Sequence, residues 1–290
     1  MYIYFNAFWG ENFFNGTDGV NVKFFIALFE KVYNEECKIG TYENSDILCE
    51  SLFGDSQLLT KKWRQSILYS GESRLRENSD LYTVILYGQK THDNIVNVPF
   101  FIPYMYCNNL LTTFESSHII PRIDIPKQDI IVIISNTLEG YTKRLEFIEI
   151  LDKEFNITYA GKYKNNIGYY LPYNYYTLEF KKVIDNYKFV VSMENSIEET
   201  YITEKICHGM NSKIIPIYWG TKNVNDYFNE KRFVFVDDTN YSKSLSEIKE
   251  LYKDNEKWLK MVNEPVFKNN KLSITLDSIA KEIQEVLKIK

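Results

Sequence analysis

Residues 188–220 read KFVVSMENSIEETYITEKICHGMNSKIIPIYWG. Lys188–Met193 is an apolar run of strand character, Thr200–Met210 carries helical spacing, and Lys213–Trp219 is a second apolar run. Strand, polar loop, helix and strand in that order make the unit of a parallel sheet, because parallel neighbours need a crossover between them. The rhythm extends in both directions. Upstream, Ile130–Ser135 (IIVIIS) is the continuous β-branched run of a strand buried on both faces. Tyr141–Phe155 follows with Leu145, Ile148, Leu151 and Phe155 at helical spacing, then Ile157–Ala160 as strand and Tyr176–Tyr187 as helix. Downstream, Arg232–Val236 reads as another strand. Leu272–Lys290 is an amphipathic helix with Leu276, Ile279, Ile283 and Leu287 on one stripe.

The first part of the chain repeats the pattern more faintly. Tyr2–Phe8, Ile47–Phe53, Ser66–Tyr69 and Tyr82–Tyr87 are strand candidates, and Val20–Tyr33 is a helix with Phe24, Leu28 and Val32 on one face. Asn97–Tyr106 holds two prolines and reads as an extended apolar wall. The pattern breaks at Ser116–Lys127, so the domains are placed at 1–122 and 123–290, the second including the C-terminal helix. A chain of 290 residues suits ~2 domains. Two α/β units with a cleft between them is the architecture this implies, with ligands beyond the carboxyl ends of the strands.

Composition removes several classes of function. The formal net charge is −5, whereas a general nucleic-acid binder is expected to be basic, so no nucleic-acid partner is expected. Cys37, Cys49, Cys107 and Cys207 show no C-x-x-C pair, and His92, His118 and His208 do not cluster with them, so no structural zinc is expected. The opening MYIYFNAFWGENFF lacks the basic start of a signal peptide and the length of a membrane span. A cytoplasmic chain without an integral span is expected, and a bacterial or viral source is compatible with it.

Chemistry concentrates in residues 188–220. Glu194 and Asn195 sit at the carboxyl end of a strand, where ligands lie. Tyr201, Glu204, Lys205 and His208 fall at i, i+3, i+4 and i+7, so one face of a helix can present all four. A helix N-terminus offers free N–H groups to a pyrophosphate, and Lys205 adds a full charge. Glu204 can accept hydrogen bonds from sugar or ribose hydroxyls. Spacing alone is equally compatible with Glu204 and Lys205 as solvated helix charges.

The combination ENS…YITEK…G…IPIYWG resembles the signature of the α1,3/α1,4-fucosyltransferases, glycosyltransferase family 10. Two further stretches resemble family elements in the right order. Ile134–Arg144 (ISNTLEGYTKR) is similar to the V-S-N…R element that opens the donor domain. Ala160-Gly161-Lys162 with Asn165-Asn166-Ile167-Gly168 is similar to a G-[KR]-x-x-N-N-x-G loop, whose glycines let the backbone approach a ligand closely. In the first domain Ile67–Ser73 (ILYSGES) resembles the I-x-Y-T/S-G-E-N/S element, whose glutamate is the family's catalytic base and maps onto Glu72. Arg74 and Arg76 are placed by sequence to pair with that glutamate. The match is dense over Asp129–Asp237 and thin before Ile67. The chain lacks the transmembrane stem of the animal enzymes and the heptad-repeat tail of some bacterial ones.

The resemblance implies a GT-B type α/β fold, two Rossmann-like domains facing a cleft. It implies inverting transfer of L-fucose from GDP-β-L-fucose to a sugar hydroxyl of an oligosaccharide or glycoconjugate acceptor, commonly the 3-hydroxyl of GlcNAc. Glu72 would be the base and Glu194 would stabilise the oxocarbenium-like centre. Ser135, Asn136, Arg144, Gly161, Lys162, Asn195, Tyr201, Glu204 and Lys205 would hold the donor. GDP-fucose is a substrate rather than a cofactor, and no essential metal is expected: there is no D-x-D element, and Asp237-Asp238 reads as a loop pair. The alternatives are a transferase for another nucleotide sugar, such as GDP-mannose or a UDP-hexose, and a non-catalytic glycan- or nucleotide-binding protein of the same fold.

Overall fold

A computed structural model describes residues 1–8, 21–135, 142–171 and 177–289. The chain forms two compact units, each built on a parallel sheet. The first contains residues 1–108, 198–201 and 274–290. Its sheet has six strands: β1 (Tyr2–Asn6), β2 (Lys38–Ile39), β3 (Ile47–Ser51), β4 (Gln65–Tyr69), β5 (Val84–Tyr87) and β6 (Ile95–Asn97). They lie in the order β2-β1-β3-β4-β5-β6. Every pairing is parallel. All residues of β3 and β5 are buried, as expected of strands covered on both faces.

Helix Val22–Tyr33 connects β1 to β2. Asn21 caps it by accepting from the Lys23 amide at 2.8 Å, and Asn34 ends it in the left-handed conformation that asparagine tolerates. It buries Phe24, Phe25, Leu28, Phe29 and Val32. The expected wall at 97–106 is instead the end of β6 followed by helix Phe101–Cys107. Pro103 sits in the first turn of that helix, where its missing N–H has no intrahelical partner to lose.

The second unit contains residues 109–197 and 202–273. Its five strands are β7 (Gln128–Val132), β8 (Ile157–Tyr159), β9 (Tyr187–Met193), β10 (Ile215–Trp219) and β11 (Val234–Phe235). Their order is β11-β10-β9-β7-β8. These pairings are parallel as well. Trp258 is fully buried beside this sheet, its indole N–H donating to the Lys188 carbonyl at 3.1 Å. It lies on helix Asn255–Val262, which with helix Tyr241–Lys253 was not legible in the sequence.

Two boundaries differ from expectation. The division falls at Asn108/Asn109 rather than at 122/123, because the intervening residues pack into the second unit. Phe114 lies 5.9 Å from Phe267, and the Arg122 amide donates to Asn263 at 2.6 Å. The C-terminal helix Leu276–Leu287 belongs to the first unit, not to the donor domain. It packs on helix Val22–Tyr33: Asp277 pairs with Lys31 at 2.6 Å, and the Gln284 amide donates to the carbonyls of Lys31 and Val32 at 3.2 and 3.0 Å. Its stripe buries Ile279, Ala280 and Ile283. Ile283→Ala is therefore expected to destabilise the protein by about 2–5 kcal/mol, read as a lowered denaturant midpoint.

Candidate functional site

In the second sheet β7 is flanked by β8 on one side and β9 on the other, so the order of strands reverses between β7 and β9. In open parallel sheets, ligands settle in the crevice beyond the carboxyl ends of the strands at such a reversal. The segments leaving β7 and β9 carry Ser135 and Glu194-Asn195 there.

Glu194 organises this region. Its side chain is wholly buried, and both carboxylate oxygens are engaged. One accepts from the Thr203 amide at 2.8 Å, the other from the Thr203 hydroxyl at 2.7 Å and from the Lys205 ammonium at 3.2 Å. Lys205 donates also to the Thr203 hydroxyl oxygen at 2.9 Å and lies 3.7 Å from Glu204. Burial pushes the Glu194 carboxyl above its ordinary range, opposed by Lys205 and by the Thr203 hydrogen bonds. The Glu194 amide donates to the Trp219 carbonyl at 2.8 Å, which ties the loop to the end of β10. Gly220 completes the fit, since a Cβ there would lie 2.9 Å from the Glu194 side chain. The geometry of Glu194 is that of an anchor for Thr203 and Lys205, a role that the charge stabilisation expected from sequence does not include.

Ser135, Arg144, Asn195, Glu204, Lys205 and His208 line one cavity of about 130 Å³, together with apolar residues of β9 and of the segment that follows β7. Arg144, on helix Thr142–Asp152, is almost completely buried and donates to the Asn195 side-chain oxygen at 2.9 Å. Burial opposes ionisation of Glu204, but Lys205, His208 and local hydrogen bonds outweigh it and hold the carboxyl below its ordinary range. Two cations, one carboxylate and an amide thus converge on a small space. At ~30 Å³ per water the space has room for on the order of four waters, the scale of phosphate groups rather than a whole nucleotide.

Other expected residues stand elsewhere. The helix here is shorter than the spacing suggested, running only Lys205–Asn211. Tyr201 therefore precedes it; the residue is buried and counts with the first unit. Gly161 does not bring backbone to a ligand: a Cβ on it would lie 2.3 Å from the Ile134 carbonyl oxygen, so its role is close packing against the segment after β7. Lys162 is exposed and is not among the cavity's lining residues. The loop's asparagines are spent on backbone: Asn165 donates to the Gly161 and Tyr169 carbonyls at 3.0 and 2.9 Å, and Asn166 donates to Ile157 at 2.9 Å. Asn136 lies outside the described residues. Thr203 was quoted within the YITEK run but given no role, although its hydroxyl bridges Glu194 and Lys205.

Glu72 is half-buried in the turn after β4. The Ser70 hydroxyl shapes that turn, accepting from the Glu72 amide at 3.3 Å and donating to the Arg74 carbonyl at 2.7 Å. Among the described residues neither Arg74 nor Arg76 forms an ion pair with Glu72. Arg76 instead lies 4.0 Å from Glu50. Among the described residues no three His, Cys, Asp or Glu side chains group as metal ligands. Asp237 caps Thr239 at 3.0 Å and Asp238 pairs with Lys143 at 2.7 Å, as befits loop residues.

Residues 125–264 match the family model described as glycosyltransferase family 10 (fucosyltransferase) C-term. The match covers just under half of the chain and places that segment in glycosyltransferase family 10. An α-(1,3)-fucosyltransferase FucT of Helicobacter pylori is 33% identical over 122 residues, 42% of this chain and 24% of that protein. This chain thus matches about a quarter of the length of that curated relative. A crystal structure of an α1,3-fucosyltransferase superposes with a TM-score of 0.76 at 19% identity, covering 99% of this chain and 90% of the other. The same type of enzyme with GDP-fucose gives 0.72 at 20% identity, with the same coverage. The fold is GT-B. Among the described residues no helix is long and apolar enough to cross a membrane.

His208 supplies a test of the cavity's burial. Desolvation pulls it from its ordinary 6.5 down to about 4, with Glu204 opposing and Lys205 adding to the shift. The unfolded chain takes up this proton below pH 6.5 while the folded chain refuses it until about pH 4. Stability present above that window is therefore lost as the pH falls through it, on the order of 1.4 kcal/mol per pH unit. Denaturation of His208→Gln is expected to lack this part of the slope.

Proposed function

We propose that this protein is an inverting fucosyltransferase that moves L-fucose from GDP-β-L-fucose to a sugar hydroxyl of an oligosaccharide or glycoconjugate. The observation that carries the reading is the convergence of Arg144 and Lys205, with Glu204 and Asn195, on a cavity at the reversal point of the second sheet. The match to family 10 and the fold shared with the α1,3-fucosyltransferase structures support the choice of donor.

In this proposal Arg144 and Lys205 meet the negative charge that grows on the departing GDP. Fixed cations with low solvent access stabilise such charge without reorganising during reaction. Lys205 is held for the task by Glu194 and Thr203, and Arg144 by Asn195. Glu204 accepts from hydroxyls of the donor. Glu72 takes the proton of the acceptor hydroxyl as that oxygen attacks C1 of fucose, a contribution of ~10²–10⁴-fold. The carbon–oxygen bond to GDP breaks as the new glycosidic bond forms on the opposite face, which inverts the configuration. The charge stabilisation is assigned to side chains, and no essential metal is part of the proposal. The 3-hydroxyl of GlcNAc is the acceptor to try first.

The test is acceptor-dependent GDP release from GDP-fucose, with GDP-mannose and UDP-galactose in parallel, against GlcNAc- and galactose-ended acceptors. Release from GDP-fucose alone is expected; release only from another donor would replace the sugar, and GDP binding without turnover would overturn the enzymatic reading. Glu72→Gln is expected to keep GDP affinity and to lose transfer by ~10²-fold or more. Lys205→Ala should lower both GDP affinity, measured by calorimetry, and rate, a charged hydrogen bond contributing roughly 1.5–3 kcal/mol.

A further inference from the structure

The first unit buries a second glutamate that the proposed chemistry does not use. Glu50, near the carboxyl end of β3, has no exposed surface. One of its oxygens accepts from the Tyr82 hydroxyl and from Ser56 at 2.7 Å. The other accepts from the Asn6 side chain at 2.8 Å and from the Gln57 amide at 2.9 Å. Four donors from three segments satisfy the carboxylate, and the Arg76 guanidinium 4.0 Å away balances its charge. Core carboxylates are costly unless paired and fully hydrogen-bonded. This one is both, and the group that pairs it comes from the chain leaving the Glu72 turn.

Arg76 has further holds. It donates to the Ser51 carbonyl and to the Gly54 carbonyl, each at 3.2 Å. The loop after β3 is thereby tied to the segment after β4. The turn carrying Glu72 is fixed at its start by β4, where the Ser70 amide donates to the Leu86 carbonyl at 3.0 Å. Within the turn, Ser70 holds residues 72 and 74. At its far end the side-chain anchor is Arg76. A turn secured at both ends presents its middle residue in one orientation, whereas one secured at a single end swings.

We propose that Glu50 and Arg76 are positioning residues, a buried ion pair that holds the Glu72 turn in the orientation needed to take the acceptor proton. This rests on the reading of Glu72 as the base. Neither residue touches substrate; each acts through the turn. A base displaced by about 1 Å can lose on the order of 10²-fold in rate while donor binding, which uses other residues, is untouched.

The test compares the intact chain with Arg76→Ala, Arg76→Lys and Glu50→Gln. The readouts are steady-state fucose transfer, GDP affinity by calorimetry and thermal unfolding. Arg76 is mostly buried yet reaches solvent, so Arg76→Ala is the informative variant even where Glu50→Gln does not fold. The expected result is a fall in kcat of about 10²-fold for Arg76→Ala, with GDP affinity and KM for GDP-fucose unchanged; the melting temperature falls, because the buried Glu50 loses its counter-charge, and the assays are run well below it. Arg76→Lys should fall between, and added guanidinium should restore part of the lost kcat of Arg76→Ala. Full kcat in Arg76→Ala, a loss matched by a loss of GDP affinity, or a loss that vanishes when the assay is run well below the variant's melting temperature would overturn the proposal. If the unmutated chain transfers fucose and Arg76→Ala does too, only the positioning role falls. If the unmutated chain is inactive with every acceptor, the functional reading falls and takes this inference with it.

Discussion

A carboxylate removed from water imposes its own surroundings. Glu194 must be given donors on both oxygens, and the segment that follows β9 is shaped by that requirement. Thr203 turns its amide and hydroxyl inward, Lys205 brings its ammonium over them, and Gly220 gives up a side chain so that the glutamate fits. Lys205 is left with little freedom, which suits the role proposed for it at a diphosphate. Disorder in a long cationic side chain would otherwise have to be removed on binding, at a cost near the ~2 kcal/mol rotamer entropy of a free lysine.

The two sheets repeat one plan. In each, the first strand lies inside the sheet, the second pairs on one side of it and the third strand on the other, so each has a reversal point. In each, a fully buried glutamate stands at or just past the carboxyl end of the strand beside that reversal: Glu50 after β1's neighbour β3, Glu194 after β7's neighbour β9. Each is surrounded by donors from the loops that leave the sheet. Buried polar groups with every partner supplied fix a single arrangement of those loops, and loops in a fixed arrangement are what a site requires.

Much of this was legible because parallel strands covered on both faces produce runs such as Ile130–Ser135 and Lys188–Met193, which few other environments tolerate. The ENS…YITEK…IPIYWG segment was legible for a similar reason: the buried glutamate, its threonine and lysine partners and the glycine beside them constrain one another at short range in sequence. Long-range partners left no such trace. Glu50 is held by Asn6, by the adjacent Ser56 and Gln57, by Tyr82 and by Arg76, which come from four segments of the chain, and nothing in ESLFG itself marks it as buried. Tyr201 was misplaced because helical spacing says nothing about where a helix begins; the chain enters the helix only at Lys205. Gly161 was read as making room for a ligand when it makes room for Ile134, a distinction that only three dimensions show. The boundary at 108 was missed because Ser116–Lys127 looks like a linker while Arg122 is tied by hydrogen bonds into the second unit.

The C-terminal helix has an effect on the order in which the protein can be made. The first unit starts with Met1 yet takes its last helix from Leu276–Leu287. During synthesis the hydrophobic face of helix Val22–Tyr33 that this segment covers stays open until residues 276–287 have been made, after the whole of the second unit. The second unit, most of which lies between these two pieces, has all its strands available earlier. The first unit is thus begun before the second and completed after it, and a nascent chain stopped short of residue 276 would leave it with an uncovered apolar face, the kind of surface on which unfinished proteins aggregate.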